Sequence, residues 1–399
     1  IGGGPAGMMA AGHAAHMGSK VVLIEKNNNL GKKLLLTGKG RCNFTHYEFN
    51  RNKFAAEFGK KGRFLFGALE RFGVNDVLKF FQSHGLRWKV ERGNRVFPDG
   101  GDARDILKII IEYLKVGKVV IFCNSKVIDI NIHDNLGKIE IILAEQQIFS
   151  KKIILCTGGK SYPQTGSTGD GYIWAKKMGH TIAQTLPALN PVLTSERWTQ
   201  ELQGLTLKNV LLQLYYGGKK KDERFGEMLF THFGISGPIV MDMSKHIGYL
   251  LKKGKVKLWL DLKPALDYKK LDDRIQRDFR EFKGKFLKNS LRKLLPSSLI
   301  GVMIKLSGIN GQKKVDHISK EERNRLVHLL KELELTPTEL LGYQWSVVTC
   351  GGIDLKEVNP DTMASKKLSN VYFAGEILDL DGPSGGFNLQ ECWSTGYLA

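Results

Sequence analysis

A chain of 399 residues with 42% hydrophobic content holds enough apolar side chains for two or three domain cores, yet no apolar run is long enough to span a bilayer. Its five cysteines, Cys42, Cys123, Cys156, Cys350 and Cys392, are odd in number and never spaced C-x-x-C, which argues against a disulfide framework, a zinc cluster or a dithiol pair and suits a reducing cytoplasm. The formal charge of +20 leaves nucleic acid open as a partner, with a solvated basic exterior as the plainer explanation.

The chain begins at Ile1 rather than Met, on what reads as the remnant of a first strand, so a few residues are expected before it; no signal-peptide pattern is visible. The run Ile1-Gly2-Gly3-Gly4-Pro5-Ala6-Gly7 carries G-x-G-x-x-G at Gly2, Gly4 and Gly7. Such a turn brings backbone against a pyrophosphate: Gly2 allows the tight turn, Gly4 keeps side chains off the phosphates, and Gly7 lets the next helix pack closely. Met8 to Met17, rich in small residues, reads as that helix, its N-terminal amides facing the anion. Val21 to Ile24 is an apolar run that ends in Glu25, eighteen residues after Gly7. A carboxylate there accepts hydrogen bonds from an adenosine ribose and repels a 2′-phosphate, which argues against NADP at this turn.

A polar loop from Asn27 to Lys33 leads to Leu34 through His46. Gly38 and Gly40 permit approach to a flat ligand, while Arg41 and Asn43 supply donors for carbonyl or phosphate oxygens. Cys42 is a candidate nucleophile, with a structural thiol as the alternative. Apolar spacing predicts helices over 64–72, 75–84 and 102–114, and a hairpin from Trp88 to Phe97. Strands are expected over 118–124, 125–132, 138–143 and 147–150. A further strand from Ile153 ends in Thr157-Gly158-Gly159, and a second glycine-rich loop, Thr165 to Gly171, opens a helix reaching Gly179. That loop is either a ligand approach or an ordinary turn.

From Pro187 the character changes, and Leu193 to Lys263 alternates as in an antiparallel β-domain. Inside it, Ser236 is expected to cap a helix begun by Pro238, and His232 is a candidate proton donor or else a core histidine. Residues 267–295 and 320–335 read as basic helices. Between Lys245 and Lys331 there are 23 Lys and Arg against 9 Asp and Glu, a surplus of 14. A polyanion would bind there, if one binds at all; no aromatic-interleaved basic patch of the RNA-recognition type is evident.

The closing stretch repeats the first pattern. Trp345 to Ile353 runs into Gly351-Gly352, and Asn370 to Phe373 runs into Ala374-Gly375-Glu376. Gly385-Gly386-Phe387-Asn388-Leu389-Gln390 reads as a helix start. A Gly-acid strand end suits a carboxylate on a polyol chain, and the helix N-terminus suits developing negative charge on a flavin; ordinary strand ends and a capped helix are the alternative.

Together the opening turn with Glu25, the Thr157-Gly158-Gly159 strand end and Ala374-Gly375-Glu376 resemble the two-dinucleotide-binding-domain flavoproteins. More narrowly, Gly38 to Asn43, Phe230 to Pro238, and Gly375 to Gly382 with Gly385 to Gln390 are similar to the BaiN or aminoacetone-oxidase-like family of FAD enzymes. The resemblance implies an α/β fold. A split Rossmann-like FAD-binding domain would cover 1–186 and 346–399, a β-barrel-like substrate domain 187–265 and 333–345, and a helical sub-insertion 266–332. It implies non-covalent FAD, with Glu25 on the adenosine ribose, Glu376 or Asp379 near the ribityl and pyrophosphate, and Gly386 to Gln390 near the pyrimidine edge. Further cofactor contacts are implied at Gly2, Gly4, Pro5, Ala6, Gly7, Lys26, Gly31 and Lys33. Others fall at Gly40, Arg41, Cys42, Asn43 and Val127, at Thr157, Gly158 and Gly159, and at Gly375, Gly386, Phe387, Asn388 and Leu389. Four positions depart from the family pattern: Lys39 and His46 stand where Asn is usual, Phe387 where Tyr is common, and Ala364 where an acid is common.

The activity implied is a flavin oxidoreductase in which a small organic substrate or NAD(P)H exchanges hydride with flavin N5. His232, Asn43 and Cys42 are the catalytic candidates. No second complete G-x-G-x-x-G follows a strand, so NAD(P)H is expected only as a transient donor. A flavin-containing RNA-binding or RNA-modifying protein, docking through 245–331, is the alternative. Neither a metal nor a membrane partner is expected.

Overall fold

The short apolar runs of the sequence become short parallel strands. Val22–Ile24 pairs in parallel with Val120–Phe122, and Ile153–Leu155 pairs in parallel with Val371–Phe373. The opening residues lie between these pairs: Gly2 N donates to Ile24 O at 2.8 Å, and Cys156 N donates to Ile1 O at 2.9 Å. The computed structural model describes residues 1–133 and 137–399. They form two compact units, Ile1–Ala188 with Tyr343–Ala399, and Leu189–Gly342.

In the first unit the opening helix Pro5–His16 is buried from Ala6 to Gly12. Its small side chains let it approach the closing helix Phe387–Leu398, where a Cβ on Gly396 would stand 2.4 Å from Ala6 O. Helices Val74–Ser83 and Ala103–Val116 are amphipathic instead. They bury Val74, Val77, Leu78 and Phe81, and Ile106, Ile110 and Leu114, each large side chain contributing roughly 1.5–3 kcal/mol of transfer free energy. Asp102 caps the second, accepting from Arg104 N at 2.8 Å. Among the described residues three small antiparallel sheets complete the unit: Thr45–His46 with Arg95–Pro98 and Trp88–Glu91, Val127–His133 with Lys138–Leu143 and Gln147–Ser150, and Leu186–Ala188 with Val348–Cys350.

The second unit is built on a seven-stranded antiparallel sheet. Its order is Leu333–Leu335, Val256–Asp261, Thr206–Tyr216, Lys219–Thr231, Gly234–Ser236, Val192–Thr194 and Pro337–Leu340. The two edge strands are separated in the chain only by Thr336. Helices Tyr268–Glu281, Ser297–Ser307 and Lys320–Lys331 share one apolar core with this sheet, through Leu271, Met303 and Leu330 among others.

Three local expectations are corrected. Ser236 does not cap the helix Pro238–Leu251: it pairs with Leu229 in the sheet, and Gly237, at φ +94°, is the N-cap without a side-chain bond. The helix expected to reach Leu335 ends at Lys331, because Leu333 and Leu335 alternate with exposed Glu334 and join the sheet. The helix expected over 267–295 stops at Glu281; Gly284 takes φ +76°, and its N–H donates to Asp316 Oδ1. Among the described residues no helix is long and apolar enough to cross a membrane.

Candidate cofactor cleft and active site

The opening turn separates two reasons for being glycine. Gly2 sits at φ +104° with a Cβ position 2.4 Å from Cys156 O, and a Cβ on Gly7 would stand 1.9 Å from Gly2 O. Both are demanded by the protein's own backbone. Gly4 is not: it has φ −81°, ψ −178°, and a Cβ there would meet nothing within 4 Å. The chain keeps this space clear although its own packing has no use for it. Behind Gly4 stands the N-terminus of a twelve-residue helix with Pro5 in its first turn, no side-chain cap and no acid in that turn. Its unpaired amides and dipole fit a pyrophosphate.

The turn forms one wall of a cleft of about 860 Å³, its open mouth included. Gly2, Gly4, Pro5, Ala6, Glu25, Lys26, Gly31, Lys33, Val127, Thr157, Gly158 and Glu376 all line it. Glu25 is buried, its Oε2 accepting from Gly3 N at 2.7 Å and its Oε1 from Asn27 N and Nδ2 at 2.8 and 2.7 Å. These bonds fix the carboxylate at the strand end. Lys26 pairs with Asp170 at 2.7 Å. Lys33 pairs with Glu376 Oε2 at 2.6 Å, and Thr349 N donates to Glu376 Oε1 at 2.8 Å. The cleft also takes in Asn27, Cys156, Thr165–Ser167, Trp174 and Cys392, which sequence reasoning did not single out as contacts. The second glycine-rich loop was the available signal: Gly166, at φ +102°, comes against Asn27, whose Nδ2 donates to Thr165 O.

Two buried groups beside the cleft are protonated at neutral pH. Burial pushes the Cys156 thiol up to about 11. Burial, with the Glu376 charge adding, pushes the Glu391 carboxyl up to about 8, and its Oε1 has no hydrogen-bond partner.

A second group of residues gathers where the closing helix begins. Gly386 is its N-cap at φ +102°, and a Cβ there would stand 2.3 Å from Thr45 O and 3.0 Å from Asn43 Oδ1. Asn43 Oδ1 accepts from Val96 N at 3.0 Å. The helix is tied to the strand Thr45–His46 by Thr45 Oγ1 donating to Gln390 Oε1, and Trp393 Nε1 donates to Phe44 O at 3.0 Å. Asn388 holds the preceding loop, accepting from Gly382 N and donating to Gly382 O and Pro383 O. Phe387 is buried, while Leu389 packs partly buried on the core. Two of the family departures meet here: the His46 ring stacks on Phe387 at 4.2 Å, and its Nδ1 donates to Gly385 O at 3.0 Å.

The remaining expected residues lie outside the cleft wall. Gly40 takes φ +87°, Gly159 packs on Thr349, and Gly375, at φ +75°, packs on Ala6. Arg41 is turned onto Glu91 and over the Phe97 ring. Asp379 pairs with Lys61 at 2.5 Å. Cys42 is fully buried and its thiol is pushed up to about 12, chiefly by burial, so it is protonated at neutral pH and unsuited to nucleophilic attack. His232, in the second unit, is exposed in the turn after Lys219–Thr231 rather than held in a core. Among the described residues no cluster of His, Cys, Asp and Glu is placed to hold a metal ion.

The profile of the HI0933-like protein Rossmann domain matches residues 1–399. The chain belongs to this HI0933-like family. Over 403 residues, this member is 32% identical to the 3-dehydro-bile acid delta(4,6)-reductase of Clostridium scindens, covering all of the chain and 97% of that protein. It is 30% identical over 401 residues to the ribosomal RNA dihydrouridine synthase of Haemophilus influenzae, covering all of the chain and 96% of that protein. In fold it is similar to the 3-ketosteroid delta1-dehydrogenase of Sterolibacterium denitrificans, with TM-score 0.53, 12% identity, and coverage of 100% of this chain and 97% of that one. The resemblance to the BaiN-type flavoproteins is thereby borne out. This HI0933-like protein is a flavin-dependent oxidoreductase, and its cofactor is FAD.

Proposed function

We propose that the chain reduces a carbon–carbon double bond conjugated to a carbonyl, with NAD(P)H as a transient donor. One observation carries this reading: two relatives that match the whole chain have names denoting the same bond change, on a bile acid and on a ribosomal RNA. The shared bond change is what we transfer.

Bound FAD supplies the two-electron step between donor and acceptor. The chain's part is binding and proton placement. The amides behind Gly4 hold the pyrophosphate, Glu25 takes the adenosine ribose, and Lys33 with Glu376 flanks the linking chain. Asn43 positions the start of the closing helix through its place beside Gly386. His46 is the acid we assign to the acceptor. Because Gly385 O can only accept, Nδ1 carries the proton of that bond, and Nε2 is left as the atom that takes up and releases a proton. His232 is the alternative acid. The second unit is proposed as a barrel-like substrate domain, supported by edge strands only Thr336 apart, which requires the sheet to curl.

A second reading is that the acceptor is a base within RNA, favoured by the surplus of 14 positive charges between Lys245 and Lys331. Anaerobic mixing with NADH or NADPH tests the first reading: the flavin is expected to bleach and to recolour on adding a cyclic enone before air is admitted. A flavin that bleaches only with amines and recolours only in air would make the protein an oxidase. His46→Asn is expected to leave bleaching unchanged and to slow enone-driven recolouring about 10²-fold. If His232→Asn does so instead, the acid is His232.

A further inference from the structure

We propose that a basic ribbon in the second unit, formed by Gly284–Lys288 and Gly311–Asp316, is a docking surface for single-stranded RNA. It rests on the second reading above and names where the RNA is held.

The two segments run antiparallel. Leu287 N donates to Lys313 O at 2.9 Å, Val315 N to Lys285 O at 3.0 Å and Lys288 N to Gly311 O at 3.3 Å, while Phe286 and Lys314 form a β-bridge. Charge on this ribbon is one-sided. From Arg280 to Lys293 there are six Lys and Arg and a single acid, Glu281, which Lys293 neutralises at 2.5 Å. Lys283, Lys285, Lys288, Arg292 and Lys314 are exposed, and none makes an ion pair among the described residues. Three nearby acids are engaged, Asp272 by Arg323, Asp278 by Arg274 and Glu322 by Lys313, while the one acid within the ribbon, Asp316, accepts from Gly284 N and stands 3.7 Å from His317. Arg280–Lys293 and Gly311–Asp316 together carry eight Lys and Arg against two acids, a net of six of the fourteen surplus charges.

Among these lysines stands Phe286, 40% exposed, with Lys288 Nζ 5.9 Å from its ring centre. An exposed ring between unpaired cations is the combination that single strands use: bases stack on the ring while lysines follow the phosphates. In the sequence a single phenylalanine among lysines does not read as an aromatic-interleaved patch; the bridge to Lys314 reveals the second basic strand alongside. An anionic membrane is the weaker fit, because the neighbouring helix Tyr268–Glu281 turns Leu271 and Ile275 inward and leaves no apolar face for insertion.

The test uses the FAD-loaded protein and a fluorescein-labelled oligouridine, read by anisotropy. If about four phosphates are neutralised, affinity is expected to fall roughly 50-fold between about 50 and 200 mM salt. The variant Lys283→Ala/Lys285→Ala/Lys288→Ala is expected to lose most of the binding and to lower the salt slope by about 2. Phe286→Ala is expected to weaken binding at least about fivefold with the slope unchanged. A control with the same loss of charge, Lys20→Ala/Lys108→Ala/Lys151→Ala, is expected to bind as the parent does. Retained flavin absorbance and circular dichroism show that each variant is folded. The proposal is overturned by no binding at about 50 mM salt, by a ribbon variant that binds like the control, or by binding to phosphatidylglycerol vesicles in place of RNA. Loss of RNA binding with enone-driven recolouring intact would remove the docking surface alone. RNA binding with no recolouring of the NAD(P)H-reduced flavin by the oligouridine would instead remove the reading of an RNA base as acceptor.

Discussion

Gly4 and Gly7 belong to one sequence motif and answer to different forces. A side chain at Gly4 would enter open space in the cleft, whereas one at Gly7 would collide with Gly2 O. Gly4→Val is therefore expected to weaken FAD binding at least about tenfold while changing apoprotein stability by no more than about 1 kcal/mol. Gly7→Ala is expected to destabilise the apoprotein itself by about 1–3 kcal/mol. Flavin fluorescence on dilution and chemical denaturation of the apoprotein separate the two; equal losses of stability would show that Gly4 is structural. Glu391 makes a different prediction. Its carboxyl is raised from 4.5 to about 8 in the fold, so the folded state holds its proton more tightly than the unfolded chain does. Below pH 4.5 both states are protonated and nothing is lost. As pH rises toward 8 the unfolded state alone ionises, costing the fold about 1.4 kcal/mol per pH unit. Glu391→Gln is thus expected to leave stability unchanged near pH 4 and to raise it by a few kcal/mol near pH 8, measured as urea midpoints across that range. Single residues were legible where a motif fixes their geometry, as at Gly2, Gly4 and Glu25. Cys42 was not, because its reactivity depends on burial by residues far along the chain.

The closing helix shows how much an element depends on its first residue. Gly386 accepts φ +102° and lies against Thr45 O, so Gly386→Ala combines an unfavourable backbone with a 2.3 Å collision. We expect it to lower the apoprotein's unfolding midpoint and to loosen Trp393 from Phe44 O, seen as a red shift in tryptophan emission; an unchanged spectrum and midpoint would show that the strand Thr45–His46 gives way freely. Elements with a clear period were readable beforehand. Val74–Ser83 and Ala103–Val116 carry 3.6-residue apolar spacing, and Gln147–Ser150 was found with its bounds. The helix Ser297–Ser307 escaped notice, since Ile300, Val302 and Met303 are nearly continuous and give no amphipathic contrast. Leu333–Leu335 was missed for another reason: three residues are too few for period two to compete with the helix before them.

On the scale of the whole molecule, the cofactor cleft draws residues from both ends of the sequence, Gly2 to Lys33 and Ala374 to Cys392, with the second unit between them. FAD is expected to slow hydrogen exchange simultaneously in peptides from 1–33 and 371–399 and to leave 189–342 unchanged. Protection confined to the first stretch would show that the closing strand and helix contribute nothing to binding. Glycine motifs at both ends made this distant pairing readable. The exposed ribbon of the second unit was not readable, because sequence gives the number of lysines and not their side of the fold.

The interruption of the first unit also orders events during synthesis. Leu189–Gly342 is contiguous, so all of its internal contacts are available once Gly342 has left the ribosome. The first unit must wait longer: Ile153–Leu155, held on one side by Ile1, lacks its parallel strand until Val371–Phe373 emerges, and Gly375 and the closing helix come later still. A nascent chain stalled before residue 371 would thus present a finished second unit beside an open dinucleotide turn. A cleft whose last wall residues are Ala374, Glu376 and Cys392 is therefore expected to take up flavin only after those residues have emerged.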